Sequence, residues 1–115
     1  MCLSCMGWLI INEAIMTVTD IRISKIFITE NDHQLNKIIS FLHDDEKVAG
    51  VTVYRAIEGY GDSGDLHQSS LVDFNFDSPL VIEFYDKPEK ILQVIEDVKK
   101  KFEIKKVISW LAEQY

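Results

Sequence analysis

Pro79-Leu80-Val81-Ile82-Glu83-Phe84-Tyr85-Asp86-Lys87-Pro88-Glu89 places a strand and the start of a helix side by side. Alternating β-branched and aromatic residues after Pro79 read as a strand, and the proline stands at its first position, where no ladder donor is needed. Asp86 is expected to cap a helix, with Pro88 in the first turn, where a missing N–H costs nothing, and Glu89 at the capping-box position. Ile91, Leu92, Ile95, Val98 and Phe102 then form an apolar stripe at helical spacing. Ile104 to Leu111 reads as a closing strand.

Upstream, Ile23-Ser24-Lys25-Ile26-Phe27-Ile28-Thr29 is a first strand, rich in β-branched and aromatic side chains. Asn31, with Gln34 three residues on, predicts a capped helix carrying Leu35, Ile38, Ile39 and Leu42 on one face. Asp44-Asp45-Glu46-Lys47 interrupts that stripe, and a second strand follows from Gly50. The order is β-α-β-β-α-β, an α+β class fold with the ferredoxin-like plan: a four-stranded antiparallel sheet and two helices. Right-handed crossovers put both helices on one face. Leu80, Ile82 and Phe84 alternate with Val81 and Tyr85, and Ile108 and Trp110 with Val107 and Leu111, so both faces of these strands carry apolar groups. A sheet apolar on both sides calls for a second partner layer, and homo-oligomerisation through the open face is the expectation.

Composition excludes several classes. The chain of 115 residues is long enough for one domain with its own core, without disulfides or a metal. A net charge of -7 argues against nucleic acid, which needs a basic face, and against an anionic membrane surface. The basic run Lys99-Lys100-Lys101, with Lys105 and Lys106 nearby, falls where a helix should end and complements its dipole. Cys2 and Cys5 have C-x-x-C spacing but no second pair, and the absence of cysteine elsewhere suits a reducing cytoplasm. Trp8-Leu9-Ile10-Ile11 is too short to span a membrane. Met16 offers a second start just before the first strand. Residues 1–20 are therefore read as an N-terminal extension, of which 1–15 are expected to be dispensable, and residues 21–115 as the domain.

Chemistry-bearing residues gather after the second strand. Gly50 to Arg55 leads through Ala56-Ile57-Glu58 into Gly59-Tyr60-Gly61, then a polar run to His67. Long loops in small domains commonly bind something. Strand alternation sets Arg55 beside Val51 and Val53, where an arginine needs a carboxylate or a bound anion; Glu58 or a residue of another subunit is a candidate counter-ion. The two glycines let the backbone turn sharply or approach a ligand. His67 could serve as acid/base, metal ligand or loop hydrogen bonder, while Asp62 and Asp65 oppose a phosphate cradle made by the loop alone. No nucleophile elbow, Walker motif, dinucleotide fingerprint or H-E-x-x-H occurs, so no enzyme is predicted.

The run Ala49 to Gly61, His67, and Asp77-Ser78-Pro79-Leu80-Val81-Ile82-Glu83 resembles the PII-like family known as domain of unknown function 190, over roughly residues 21–112. The resemblance implies a ferredoxin-like fold, a homotrimer like those of PII signal transducers, and a loop placed like the PII T-loop. In PII relatives small ligands, often adenine nucleotides, bind between subunits, and the loop reports occupancy to a protein partner such as a membrane transporter. The chain departs from the pattern at Ala56, where the family commonly has glycine, and at the acidic Asp62-Ser63-Gly64-Asp65. Lys101-Phe102-Glu103-Ile104 stands in place of the glycine-rich segment that PII proteins carry before the last strand.

The expectation is thus a cytoplasmic PII-like signalling protein that senses a small ligand at intersubunit clefts and signals through residues 59–70. Arg55, Glu58, Gly59, Tyr60, Gly61 and His67 are its ligand-binding or loop residues, and Lys105 and Lys106 add charge to the cleft. Two other readings remain open: an oligomeric scaffold or regulatory partner with no small-molecule ligand, and a metal-binding protein using His33, His43 or His67.

Overall fold

The computed structural model describes residues 6–11, 14–59, 67–68 and 78–115. The order is β1 (Met6–Ile11), β2 (Ala14–Thr29), a 3-10 turn (Glu30–Asp32), α1 (Leu35–Ser40) running on as a π-type turn (Phe41–Asp45), β3 (Gly50–Arg55), β4 (Glu58–Gly59), β5 (His67–Gln68), β6 (Pro79–Asp86), α2 (Pro88–Phe102) and β7 (Val107–Gln114). The four principal strands lie in the order β3-β6-β2-β7, all antiparallel. This is the ferredoxin-like arrangement, an α+β sheet with two helices on one face.

Register assigns the two faces. On the helix side, Val53, Ile82, Ile26 and Val107 form one cross-strand row, and Val51, Phe84, Ser24 and Ser109 the next. Ile26, Ile82 and Phe84 are fully buried and pack with Ile38 and Leu42 of the first helical segment and Ile91, Val94 and Val98 of α2. Strand alternation therefore delivers one complete apolar face to one helical layer. Ser24 is buried within this face and donates its hydroxyl to Ile108 O at 3.1 Å.

The opposite face carries no helix. Its rows are Tyr54–Val81–Phe27, Thr52–Glu83–Lys25–Ile108 and Gly50–Tyr85–Ile23–Trp110. Phe27, Tyr54, Ile108 and Trp110 are all exposed there. Lys25 Nζ lies 3.9 Å from Glu83 Oε1 and 5.6 Å from the centre of the Trp110 ring, so one ion pair sits inside an otherwise apolar surface. The Tyr85 ring lies over Gly50: a Cβ added at Gly50 would come within 2.3 Å of it.

Several local expectations are corrected. The first strand begins at Ala14 rather than Ile23, and β1 pairs with its leading stretch from Ala14 to Thr19, so these segments of the N-terminal extension are strand. Thr19 faces both Met6 and Gln114, which places β1 and β7 on opposite edges of β2. At about 3.3 Å per residue β2 spans roughly 50 Å, close to the longest dimension of the molecule, 54 Å. Asn31 is not a helix cap: it falls within the 3-10 turn, which His33 ends at φ 56°, and α1 starts at Leu35 with no side-chain cap. Nor does Asp86 cap α2, whose N-cap is Lys87. Asp86 Oδ1 accepts the Lys87 N–H, and Oδ2 accepts the N–H of Ala49 across the sheet end. Val94 takes the buried place expected of Leu92, which is 54% exposed. The last strand runs from Val107 to Gln114, later than its sequence suggests. Pro88 does occupy the first turn of α2, and Lys99, Lys100 and Lys101 its last.

Candidate functional site: the stem of the β3–β6 loop

β3 ends at Arg55 because the chain must leave the sheet there, and three contacts fix how it leaves. The Arg55 guanidinium pairs through Nη2 with Glu30 Oε1, at the end of β2. This is a different counter-ion from the Glu58 that sequence spacing offered, and the pair is local to one chain. Ala56 donates its N–H to Pro79 O at 2.8 Å, and Glu30 donates its N–H to Ser78 O at 2.9 Å. Ser78 is fully buried. Both ends of the loop are therefore pinned to the same corner, where β2 and β3 end and β6 begins, and a backbone group left unpaired there would be costly.

Beyond the stem, Ile57 is 81% exposed. Glu58 and Gly59 then pair with Gln68 and His67 in a short antiparallel ladder. The structure thus sets His67 opposite Gly59, in the same hairpin stem. Tyr60 and Gly61 lie outside the described residues, as do Asp62, Ser63, Asp65, Ser69 and Ser70, and Cys2 and Cys5 of the C-x-x-C pair.

Lys105 and Lys106 are exposed in the connection between α2 and β7. β7 begins opposite Ile26, and Arg55 shares a row with Leu80 and Ile28, so the lysines and the arginine occupy the same end of the sheet. They stand at its two opposite edges. Three strand spacings separate those edges, about 14 Å, so in one protomer the basic groups flank the sheet end from either side.

His33 terminates the 3-10 turn, and His43 Nδ1 lies 2.7 Å from Asp44 Oδ1 on the exposed side of the π-type turn. No group of three or more His, Cys, Asp or Glu residues that could hold a metal ion occurs among the described residues. A shallow groove of about 480 Å³ runs between α1 and the end of α2. Its floor is the edge-to-face pair Phe41 and Phe102, with ring centroids 5.6 Å apart, and Lys101 Nζ lies 5.3 Å from the Phe41 ring. Lys37, Lys101, Asp44 and Asp45 all line this groove, two charges of each sign.

Sequence reading missed Glu30 and Ser78, the two residues that close the stem. Both act across a long sequence separation, and Glu30 lies outside the runs that carry the family resemblance. A glutamate just past an apolar strand, ahead of an arginine expected at the same sheet end, was the signal present.

A four-stranded antiparallel sheet in this order, with two helices on one face and a stem-pinned loop after the second core strand, defines a PII-like fold. The family described as "Uncharacterized ACR", domain of unknown function 190, matches residues 21–114, and the chain belongs to it. A relative called "UPF0166 protein" in Aquifex aeolicus (strain VF5) is 31% identical over 90 residues, covering 75% of this chain and 86% of that protein. Among solved structures, CPII from Thiomonas intermedia K12 bound to ADP and bicarbonate is similar, with TM-score 0.58 and 16% identity over 84% of this chain and 88% of CPII. CPII bound to ADP, AMP and bicarbonate, described as a nitrogen regulatory PII-like protein, gives TM-score 0.60 and 17% identity over 84% of this chain and 88% of that one. At these identities the structural likeness concerns the fold. No helix among the described residues is long and apolar enough to cross a membrane.

Proposed function

We propose that this protein is a PII-like regulator, assembled as a homotrimer, that senses a small anionic ligand in clefts between subunits and signals through the loop at residues 59–70. The observation that carries the reading is the split of its basic groups. Arg55 on the β3 edge and Lys105 and Lys106 on the β7 edge share one sheet end but are held apart by the full width of the sheet. A cyclic assembly sets the β3 edge of one copy beside the β7 edge of the next, and a site of joined positive charge forms only there. The exposed apolar sheet face supplies the surface that drives such an assembly.

Nucleotide and bicarbonate in the CPII structures support an adenine nucleotide, with or without a small carboxylate-like anion, as the ligand class. Arg55 is already paired with Glu30, so an incoming anion competes for a guanidinium that holds the loop stem. Binding then loosens the Arg55–Glu30 tie and changes how the loop leaves the sheet, which makes the loop the output. A cytoplasmic site of action and a membrane transporter or regulatory protein as receiver follow from this reading.

Calorimetry with ADP, AMP and ATP, each with and without bicarbonate, tests it alongside light scattering for mass. A trimer that binds one of these nucleotides supports the reading, and Arg55→Ala should weaken that binding at least tenfold. A protein that stays trimeric and gives neither heat nor thermal shift with any of them is a scaffold instead. A strictly monomeric protein removes the intersubunit site.

A further inference from the structure

The outer face of the first helical segment carries a charge pattern that ligand sensing leaves unused. Lys37, Phe41 and Asp45 stand at positions i, i+4 and i+8, and all three line the groove between this segment and the end of α2. In an uninterrupted α-helix, residues four apart drift by about 40° around the axis at each step, which would carry Asp45 away from Lys37. The turn from Phe41 to Asp45 is instead π-type, closed by the Glu46 N–H on Phe41 O at 2.9 Å, and its wider winding checks that drift. The three residues therefore keep to one side of the segment. A cation stands toward the end of β2, a half-buried ring in the middle, and a carboxylate toward the start of β3.

The two charges are exposed and unspent. Among the described residues neither Lys37 nor Asp45 enters an ion pair; Asp44 is engaged by His43 and Lys100 by Glu96. Roughly 12 Å of helix lies between Lys37 and Asp45, with Phe41 midway, set edge-to-face on Phe102. Glu46, the next residue, is raised to about 7 by burial foremost, then by the neighbouring Asp97 and the charge of Asp45, while Glu46 and Gln93 hold Asp97 low. Glu46 thus adds little charge at this end below neutral pH, and Asp45 is its outward carboxylate.

We propose that this groove is a docking surface for a second copy of the chain, which lays its own Lys37, Phe41 and Asp45 antiparallel to the first across a two-fold axis at Phe41. Turning the row end for end exchanges its charges. Lys37 of each copy then meets Asp45 of the other, and the two Phe41 rings meet on the axis. A two-fold makes every such contact occur twice, and a row bearing one sign of charge would not fit itself. Charge also favours this place over others. At a net -7 most of the surface repels a copy, whereas the groove is lined by two charges of each sign. The contact is small and its ion pairs stay near solvent, so the association is weak and needs concentrated protein. It lies on the helical side, away from the open sheet face, and joins two of whatever unit that face builds. It stands apart from the nucleotide reading, because its readout needs no ligand.

Sedimentation of the full chain over a concentration series at low salt tests it. The mass should rise from that of the basal unit toward its double, and added salt should reverse the rise. Lys37→Glu and Asp45→Lys each turn two attractive contacts into two repulsive ones and should weaken this step about tenfold or more. Mixed together, the two single variants complement each other at both contacts, so the step should return in the mixture. A chain carrying both substitutions should regain it as well. Circular dichroism and the mass of the basal unit should be unchanged throughout. If one single variant does not fold, loss of the step in the other, with the salt response of the wild type, carries the test. A mass that stays at the basal unit up to the highest concentration overturns the proposal. So does a step that survives both single substitutions, or a mixture of the two that fails to restore it.

Discussion

Truncating Trp110 is the sharpest probe of the open sheet face. Trp110 keeps 40% of its surface exposed, about 100 Å² of a side chain of roughly 250 Å². Covering that area in an assembly is worth ~2.5 kcal/mol per copy at ~25 cal/mol/Å², an upper figure. Three copies sum to ~7.5 kcal/mol, between five and six orders of magnitude in the trimer–monomer equilibrium constant. That constant carries concentration squared, so the midpoint of dissociation should move by roughly 500-fold. Sedimentation equilibrium across a dilution series reads the midpoint directly for Trp110→Ala against wild type. Because Trp110 also packs within its own chain under Lys25, urea unfolding monitored by circular dichroism must accompany it. Phe27→Ala, on the neighbouring β2, repeats the test if the tryptophan variant unfolds. A well-folded Trp110→Ala whose dissociation midpoint is unchanged would refute the idea that this face is the assembly surface.

Other consequences are quickly checked. Gly50→Ala drives a methyl group into the Tyr85 ring and should cost ~1–3 kcal/mol in urea unfolding; Tyr85→Ala in the same background should recover part of that loss. Glu46 has a folded pKa of about 7 against 4.5 unfolded, so the folded state holds a proton that the unfolded state has released. Stability from this group is fully present below pH 4.5 and is lost as pH rises through about 7. Asp97 acts with the opposite sign: its folded pKa is depressed, so its contribution is present above 3.8 and fades as pH falls through the folded value. Thermal melting should therefore weaken from mildly acidic toward alkaline pH, and Glu46→Gln should remove that slope. Deleting residues 1–15 removes β1 and its pairing with the start of β2; if this extension is dispensable, the melting temperature and oligomeric mass of the shortened chain match the full one.

The fold was legible where side-chain period alone decides it. Leu80, Ile82 and Phe84 announced a buried face by alternation, and register then carried Ile26, Val53 and Val107 into the same layer. Caps were misread because polar residues near helix starts had other employment. Asp86 spends its carboxylate on Lys87, Ala49 and Lys90, a tertiary choice that local spacing cannot reveal. Leu92 displaced Val94 in the expected stripe because residue size suggested burial, whereas the helix phase places Val94 between Ile91 and Val98. The early start of β2 was hidden by Asp20 and by the second methionine at Met16. At the candidate site, glycines and Arg55 signalled a loop, but the partner of Arg55 is Glu30, twenty-five positions earlier. Proximity of that kind follows from topology and has no local signature.

The stem of the β3–β6 loop gives the protein unusual licence to change what it recognises. Ala56, Pro79, Glu30 and Ser78 settle the geometry of the two chain ends before the intervening segment is specified. The closure entropy of a connection grows only slowly with its length, by ~0.6 kcal/mol per doubling. A connection of different length between Ala56 and Ser78 should therefore cost folding little, provided the four stem positions are kept. A lineage could change what this connection touches by rewriting it alone, while the packed core and the open sheet face stay under their own separate selection.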